Sequence, residues 1–311
     1  MTIMNLQGKH IAVLKGGPGS EREVSLATGA GVAKALRSLG AEVTEVDVRG
    51  PDFTLPNDTE VAFIAVHGTF GEDGQLQQIL EERGVAYTGE GVTGSRQAFD
   101  KLLSKQKFTQ HGVNTPRWEV IRAGEQPTFP LPYVVKAPRQ GSTVGVYIVK
   151  EKSEVAPALR DVAQYDKEFL VEEFIPGREL TVGVLGELAL PVLEIIPKSG
   201  FYDFNNKYPF LNPQAGGGAQ HVCPAVIPAE VTGKIQDLAL LACSSLGLKV
   251  YSRVDVLLAE HDQAFALEAN TIPGMTEASL LPEAAGVAGI SYPQLCARII
   301  ELSLAARPPK K

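Results

Sequence analysis

The stretch SRVDVLL at residues 252–258, followed by FALEAN at residues 265–270, decides the fold that we predict for this chain. Both runs alternate polar and apolar residues, which is typical of a β-strand with one buried face. If the polar turn at residues 261–262 closes a hairpin, its midpoint lies halfway between Asp255 and Glu268. The sequence therefore predicts an antiparallel hairpin in which these two carboxylates lie opposite each other.

Further polar side chains are predicted on the same face of this hairpin. Strand alternation places Asn270 beside Glu268 and Arg253 beside Asp255. Two carboxylates and an amide oxygen on one sheet face suit a hard divalent cation such as Mg²⁺. For any one of these residues a solvated cross-strand polar pair is the better interpretation. The complete set favours the cation, because the loop at residues 271–275 brings backbone close to it.

A second group of polar residues surrounds the strand and loop VVKAPRQGSTVG at residues 134–145. Lys136 leaves an apolar strand, and the glycine-containing loop after it offers backbone N–H groups that can hold phosphate. The loop is not a Walker A motif, since Gly-Lys-Ser is absent, and taken alone it fits a surface hairpin turn equally well. Downstream, Glu172, Glu173 and Glu179 could pair with an adenine amino group and a ribose.

The first part of the chain alternates predicted strands and helices, which indicates a parallel sheet with covering helices. The predicted strands are residues 10–14, 43–48 and 61–66, and the predicted helices are residues 21–39 and 75–82. From about residue 132 short strands joined by turns predict antiparallel pairing. Later elements include a strand at residues 188–196 and helices at residues 234–247 and 293–306.

The glycine turn at residues 16–19 lacks the Gly-x-Gly-x-x-Gly fingerprint, which argues against a nicotinamide dehydrogenase. Ser20 and Glu23 have capping-box spacing, which predicts a structural role for both. Glu21, at the mouth of the turn, could bind a substrate ammonium. His67 follows a predicted strand, at the kind of strand end that borders ligand clefts in α/β folds.

Length and composition exclude several classes of protein. A chain of 311 residues is long enough for two or three packed units with clefts between them. The formal net charge of -7 argues against a nucleic-acid surface. Three scattered cysteines and five histidines without paired spacing leave oxygen atoms as the expected metal ligands. Because no signal-peptide pattern or long apolar stretch is seen, we expect a cytoplasmic protein.

Taken together, these motifs resemble the D-alanine–D-alanine ligase family of the ATP-grasp superfamily. They occur in the order of that family and span residues 11 to about 304. The runs that carry the resemblance are GGPGSEREVSLATG (16–29), HGTFGEDGQLQ (67–77), YTG (87–89), DK (100–101), VVKAPRQGSTVGV (134–146), EEFIPGREL (172–180), YDFNNKY (202–208), SRVDVLL (252–258) and LEANTIPGMTEASLLPEAA (267–285). Ala137 departs from the family, which usually has proline there.

The resemblance implies an α/β (α+β) ATP-grasp fold of three domains. Residues 1–95 would form a substrate-binding domain around the parallel sheet, and residues 96–177 a central ATP-grasp subdomain. Residues 178–311 would form the C-terminal ATP-grasp domain, with ATP bound between it and the central subdomain. The irregular segment at about residues 199–228 would be the ω-loop that closes over the substrates.

The resemblance also assigns ligands and roles to residues of this chain. Two Mg²⁺ ions, or Mn²⁺ in their place, would be held by Asp255, Glu268 and Asn270. The residues implied for ATP are Lys101, Lys136, Ser142, Glu172, Glu173, Ile175, Glu179 and Lys207.

The remaining implied residues bind the amino acids or act on them. Glu21 would take the ammonium of the first D-alanine, with His67 beside the substrates, and Ser279 and Leu280 would receive the carboxylate of the second. Arg253 and the Gly274 N–H would stabilise the tetrahedral intermediate. Lys207 and Tyr208 would come from the ω-loop, and Tyr208 would fasten that loop to Glu21 and Ser142.

The implied activity is ATP-dependent ligation of two D-alanines through a D-alanyl phosphate, for peptidoglycan precursors, by a homodimer. Relatives that use D-lactate or D-serine typically have phenylalanine in place of Tyr208, so Tyr208 favours D-alanine as second substrate. The first alternative is a D-alanine–D-lactate or D-alanine–D-serine ligase, or another ATP-grasp carboxylate-amine ligase. A nucleotide-binding sensor without catalysis is the second, and the retained Asp255, Glu268, Asn270 and Arg253 argue against it.

Overall fold

The computed structural model describes residues 4–197 and 218–307, and the strands in these ranges form three sheets. The first sheet is parallel, in the order β2-β1-β3, as the sequence predicted. Residues 11–14 of its central strand are buried, because helices cover both faces of such a sheet. Its elements are β1 (His10–Gly16), α1 (Arg22–Ser38), β2 (Glu42–Val48), β3 (Val61–Ile64) and α2 (Gln75–Glu82).

The second sheet is antiparallel, in the order β4-β7-β5-β6. Its apolar face packs against α5, and Val135, Val162 and Val171 are among the fully buried residues between them. Its elements are β4 (Trp118–Arg122), β5 (Tyr133–Lys136), β6 (Val146–Val149), α5 (Lys152–Val162) and β7 (Glu168–Glu173). Two helices that the sequence analysis did not identify precede it, α3 (Val92–Phe99) and α4 (Lys101–Gln110).

The third sheet is also antiparallel, in the order β11-β10-β8-β12-β13, with β9 paired to β8. The strands are β8 (Arg178–Leu185), β9 (Leu188–Ala189), β10 (Leu193–Ile196), β11 (Gln220–Val222), β12 (Tyr251–Leu258) and β13 (Ala264–Asn270). The helices are α6 (Ala229–Ser245), α7 (Leu280–Val287) and α8 (Tyr292–Ala306). Helix α8 contacts α1, which ties the end of the described chain to the first sheet.

The two faces of β12 show why the sequence folds in this way. Val254, Val256 and Leu258 are buried in the cluster that includes the apolar face of α6. The intervening Arg253 and Asp255 are only partly buried and lie on the opposite face. Strict alternation therefore gives one sheet face to the core and leaves the other for polar groups.

Three details of the sequence prediction are wrong. The helix predicted at residues 234–247 begins earlier, at Ala229 after Pro228, and ends at Ser245. The strand predicted at residues 188–196 is two short strands, β9 and β10. The capping box of Ser20 and Glu23 does not form, since the residue that caps α1 is Glu21 and it makes no side-chain cap bond.

The predicted domain ranges remain a prediction, although each sheet lies within one of them. Strands β1–β3 lie in residues 1–95, β4–β7 in residues 96–177 and β8–β13 in residues 178–311. No helix within residues 4–197 and 218–307 combines the length and apolar character needed to cross a membrane.

Candidate active site

The hairpin of β12 and β13 forms as the sequence predicted. Asp255 pairs with Glu268 and Arg253 pairs with Asn270. The register then shifts by one residue, so that Val256 pairs with Ala266 and Leu267 is left as a β-bulge. Because a bulge lets two successive side chains share a face, Leu267 and Glu268 both line the same cleft.

Asp255 is surrounded by donors from three strands. Arg253 donates two hydrogen bonds to its carboxylate, from Nε and Nη2, each 2.8 Å long. Thr181 of the neighbouring strand β8 donates its hydroxyl at 2.8 Å, and the amide of Asn270 lies 3.3 Å away. This network fixes the orientation of Asp255 on the open face of the sheet.

Glu268 is paired with Lys101, the first residue of α4. Lys101 Nζ lies 3.1 Å from Glu268 Oε2 and also donates to the carbonyl of Gln140 at 2.8 Å. Asp100 caps the helix by accepting from the N–H groups of Leu102 and Leu103. The cap defines where α4 begins, and so holds Lys101 against the loop and the carboxylate.

A fully buried carboxylate lies behind this pair. Glu172 of β7 forms ion pairs with Lys136 of β5 and with Lys105 of α4. Burial alone would raise the pKa of Glu172, but the charges and hydrogen bonds of the two lysines outweigh it and lower that pKa. Burial lowers the pKa of Lys105 to about 8 despite the attraction of Glu172.

A cavity of about 270 Å³ lies between the second and third sheets. Its walls include Val146, Ile148, Phe174 and Leu257, which are apolar enough to hold a planar base. The lining residues that the resemblance assigned to the nucleotide or the metal are Lys101, Lys136, Ser142, Glu172, Glu173, Ile175, Glu179, Asp255 and Glu268. The structure thus brings these residues together around one cavity.

A second cavity of about 490 Å³ lies between the first and third sheets. Ser142 and Glu268 line both cavities, which therefore adjoin at these two side chains. The assigned residues that line the larger cavity are Glu21, His67, Ser142, Arg253, Glu268, Asn270, Gly274, Ser279 and Leu280. The residues assigned to binding the two amino acids, or to catalysis on them, thus line the same cavity.

Glu21 and Ser142 connect the first sheet to the loop after β5. The Ser142 hydroxyl donates to Glu21 Oε2 at 2.6 Å. Gly68 and Gly141 approach the same carboxylate so closely that a Cβ on either would lie 2.7 Å from Glu21 Oε1. Gly68 also has a φ of +69°, a conformation that favours glycine. A side chain at either glycine would therefore displace the carboxylate of Glu21 from this position.

His67 is buried beside Glu21. Its Nδ1 lies 2.8 Å from the Ile272 carbonyl, which can only accept, and its Nε2 lies 2.8 Å from the Thr28 hydroxyl. Burial is the largest single influence and acts to lower the pKa of His67, but Glu72 at 3.8 Å, Glu21 and the Ile272 carbonyl together raise that pKa above its ordinary value. The ring of His67 is thus held in place between the first sheet and the loop after β13, on the side of the cavity where Glu21 lies.

The far end of the larger cavity is formed by the beginning of α7. Ser279 is the capping residue of this helix, with extended backbone, and Leu280 is its first residue. The first N–H groups of a helix attract anions. A Cβ on Gly274 would lie 3.0 Å from Ser279 Oγ, so the loop packs tightly against the cap. This end of the cavity suits a carboxylate.

Some predicted site residues lie outside the part of the chain that the structure describes, and two residues of the site were not predicted. Lys207, Tyr208 and most of the predicted ω-loop lie outside the described residues. Lys105 was missed, although its spacing from Lys101 and Phe108 on one helix face was a usable signal. Thr181 was missed because nothing local distinguishes it from other strand threonines.

Ala137, which departs from the family pattern, has a structural role in the loop after β5. Its N–H donates to the carbonyl of Gly145 at 2.8 Å and so closes the loop at its base. Proline has no N–H and could not make this bond. Alanine thus adds one hydrogen bond at this position.

Two antiparallel sheets that enclose a cavity lined by lysines and carboxylates define the ATP-grasp class of ligases. The family model described as D-ala D-ala ligase C-terminus matches residues 103–301. The D-alanine–D-alanine ligase of Methylacidiphilum infernorum is 46% identical to this chain, over 95% of each chain. That of Citrifermentans bemidjiense is also 46% identical, over 97% of this chain and 98% of the relative.

Comparison with a solved structure points to the same family. The D-alanine–D-alanine ligase of Bacillus anthracis, complexed with ATP, is 32% identical and has a TM-score of 0.83. The match covers 97% of this chain and 98% of that one. The chain belongs to the D-alanine–D-alanine ligase family, and it is an enzyme of class EC 6.3.2.4.

Proposed function

We propose that this enzyme uses ATP to convert one D-alanine into an acyl phosphate, which the amine of a second D-alanine then attacks. The observation that carries the proposal is the meeting of two cavities at Ser142 and Glu268. A phosphoryl donor in the smaller cavity would have its terminal phosphate at the point where the larger cavity begins. A carboxylate in the larger cavity could then accept the phosphoryl group.

The smaller cavity is proposed to hold ATP. Its apolar walls favour the adenine, and the strand end that carries Glu172 and Glu173, together with Ile175 just after it, would face the base. Glu179 would face the ribose. Lys101 and Lys136 would neutralise phosphate charge, and Ser142, in the loop after β5, would lie over the phosphates. The ATP bound by the Bacillus anthracis relative supports this proposal.

Asp255, Glu268 and Asn270 are proposed to hold two Mg²⁺ ions. Their donor set fits, because carboxylate and amide oxygens on one sheet face are the ligands that Mg²⁺ prefers, and Asp255 and Glu268 are cross-strand partners. Bound magnesium would neutralise the charge that develops on the phosphates during transfer. Mn²⁺ offers the same kind of coordination and could replace it.

The larger cavity is proposed to hold both amino acids. Glu21 would bind the ammonium of the first, with His67 beside it, and the cap of α7 at Ser279 and Leu280 would bind the carboxylate of the second. Arg253 and the Gly274 N–H would stabilise the oxyanion formed by attack of the second amine. These groups are already fixed by the fold, which is what such stabilisation requires.

An acyl phosphate hydrolyses unless water is excluded, so we propose that residues 199–228 close over the larger cavity. Lys207 would then contribute to phosphate binding, and Tyr208 would bond with the Glu21 and Ser142 pair. Tyr208→Phe tests the choice of second substrate. If Tyr208 favours D-alanine, the variant gains D-alanyl-D-lactate formation; an unchanged product ratio contradicts that role.

Isotope transfer tests the acyl phosphate. Ligation of D-alanine labelled with ¹⁸O in its carboxylate should yield inorganic phosphate carrying one ¹⁸O atom, because the phosphate leaves with a carboxylate oxygen of the first D-alanine. Unlabelled phosphate formed together with dipeptide would contradict the proposal.

We further propose a role in making peptidoglycan precursors, since D-alanyl-D-alanine is the expected product. The homodimer implied by the resemblance also stays a prediction. Analytical ultracentrifugation of the purified protein would distinguish a dimer from a monomer.

A further inference from the structure

Lys105 is a buried lysine that the proposed chemistry does not use. Its side chain is 1% exposed, on the face of α4 that packs toward β7. Its Nζ hydrogen-bonds to Thr115 Oγ1 and pairs with Glu172. The Thr115 hydroxyl itself donates to the Ala266 carbonyl at 2.7 Å and so accepts from the lysine. Lys105 is therefore fixed as a donor aimed at Glu172.

Glu172 has two cationic partners that differ in their access to the cavity. Lys105 is enclosed, whereas the side chain of Lys136 is 12% exposed and lines the smaller cavity. Glu172 itself is 2% exposed. A buried carboxylate that loses its only cationic partner carries a large free-energy penalty. With two partners present, one can leave while the other still compensates the charge.

We propose that Lys105 is a positioning residue that keeps Glu172 neutralised, so that Lys136 is able to turn from Glu172 to the phosphates of the nucleotide. The inference rests on the proposed binding of ATP in the smaller cavity. Lys105 touches no substrate and acts through Glu172. Without it, Glu172 would hold Lys136 as its sole counter-ion, and each nucleotide that bound would have to displace that pair.

The cluster also has the charge that this role needs. Two lysines and one glutamate leave one positive charge next to the cavity, whereas the charge of Lys101 at its edge is paired with Glu268. Glu268 already engages Lys101 at 3.1 Å, so Lys136 is the cation whose release matters most for the phosphates. A purely structural Lys105 would affect folding stability without affecting the nucleotide in particular.

The test is Lys105→Met, which replaces the lysine by an unbranched, uncharged side chain that is one atom shorter. We expect KM for ATP to rise about 10-fold, the effect of one lost charge-assisted interaction, while kcat and KM for D-alanine change less than about 3-fold. The affinity for Mg-ADP, measured by calorimetry, should fall by the same factor. The matched control is Lys107→Met on the same helix, which should leave KM for ATP unchanged.

A second substitution separates this role from a structural one. In the Glu172→Gln background there is no buried carboxylate to hold Lys136, so adding Lys105→Met should change KM for ATP less than about 2-fold. An equal effect of Lys105→Met in both backgrounds, or a folded single variant with normal KM for ATP, would overturn the proposal. If the single variant does not fold, Thr115→Val removes one partner of Lys105 and should raise KM for ATP by a smaller factor; an unchanged value would then count against the role.

The two proposals fail in different ways. Wild-type protein without ATP-dependent ligation would refute the proposed function. An active wild type with an unaffected Lys105→Met variant would refute only the role of Lys105.

Discussion

Asp255 and Glu268 are direct cross-strand partners in the hairpin of β12 and β13. Each is oriented by a different neighbour, Asp255 by Arg253 and Thr181, and Glu268 by Lys101. The pair lies where the two cavities meet, since Asp255 lines the smaller one and Glu268 lines both. The pairing of Asp255 with Glu268 therefore places polar groups of one sheet face at both cavities.

Removal of the Thr181 hydroxyl should weaken the metal site. Thr181→Val keeps the shape of this buried side chain but removes the 2.8 Å bond that orients Asp255. We expect the Mg²⁺ concentration for half-maximal activity to rise about 10-fold, as for the loss of other groups that support a ligand. Thr44→Val, on an exposed position of β2, is the control, and equal magnesium dependence in both variants would contradict the role of Thr181.

Loss of the negative charge at Glu21 should affect the amino acid and spare the nucleotide. Glu21→Gln removes the counter-ion proposed for the ammonium, so KM for the first D-alanine should rise at least about 10-fold. KM for ATP should stay within about 2-fold of wild type, since Glu21 does not line the smaller cavity. Steady-state kinetics would measure both, with the exposed Glu23→Gln as control. A rise in KM for ATP alone would argue for a different role.

A methyl group on Gly274 should disturb the second amino acid. Gly274→Ala places a Cβ 3.0 Å from Ser279 Oγ and so pushes on the cap of α7. We expect KM for the second D-alanine to rise by about 10-fold, because the carboxylate site shifts. Gly286→Ala in α7 meets no atom within 4 Å and should leave the kinetics unchanged. If both variants behave alike, Gly274 has no special part in this site.

The pKa of Lys105, which burial lowers to about 8, predicts a pH dependence. Below this value Lys105 is charged and compensates Glu172; above it Lys105 is neutral and Glu172 retains Lys136. The kcat/KM for ATP should therefore fall as the pH rises through about 8 at saturating D-alanine. This decrease should be absent from Lys105→Met. A wild-type profile that is flat from pH 7 to about 9 would contradict the assignment.

Much of the site could be predicted because its pattern is local. The hairpin of β12 and β13 follows from alternation and from a turn halfway between Asp255 and Glu268, both visible in the sequence. The bulge at Leu267 could not be predicted, since no residue type or change of pattern in residues 264–270 marks the position of an extra residue. The bulge is visible only in the register of the two strands, in which Asp255 pairs with Glu268 but Val256 pairs with Ala266.

Other features depend on contacts between distant parts of the chain. Helix spacing can place Lys105 on the same face as Phe108, but it does not reveal the ion pair with Glu172, which lies 67 residues further along the chain. The predicted capping box of Ser20 and Glu23 is wrong because the glycine turn before α1 extends one residue further than the spacing suggests. The capping residue is therefore Glu21 and not Ser20. Local spacing alone does not specify which residue begins a helix.

The measurement that tests the central claim most directly is ADP release by the purified protein with Mg-ATP, with the product identified by mass spectrometry. D-Alanine should give ADP and D-alanyl-D-alanine in equal amounts, L-alanine should give neither, and Glu268→Gln should be inactive. The absence of ADP release with D-alanine, or release by Glu268→Gln at the wild-type rate, would contradict the account.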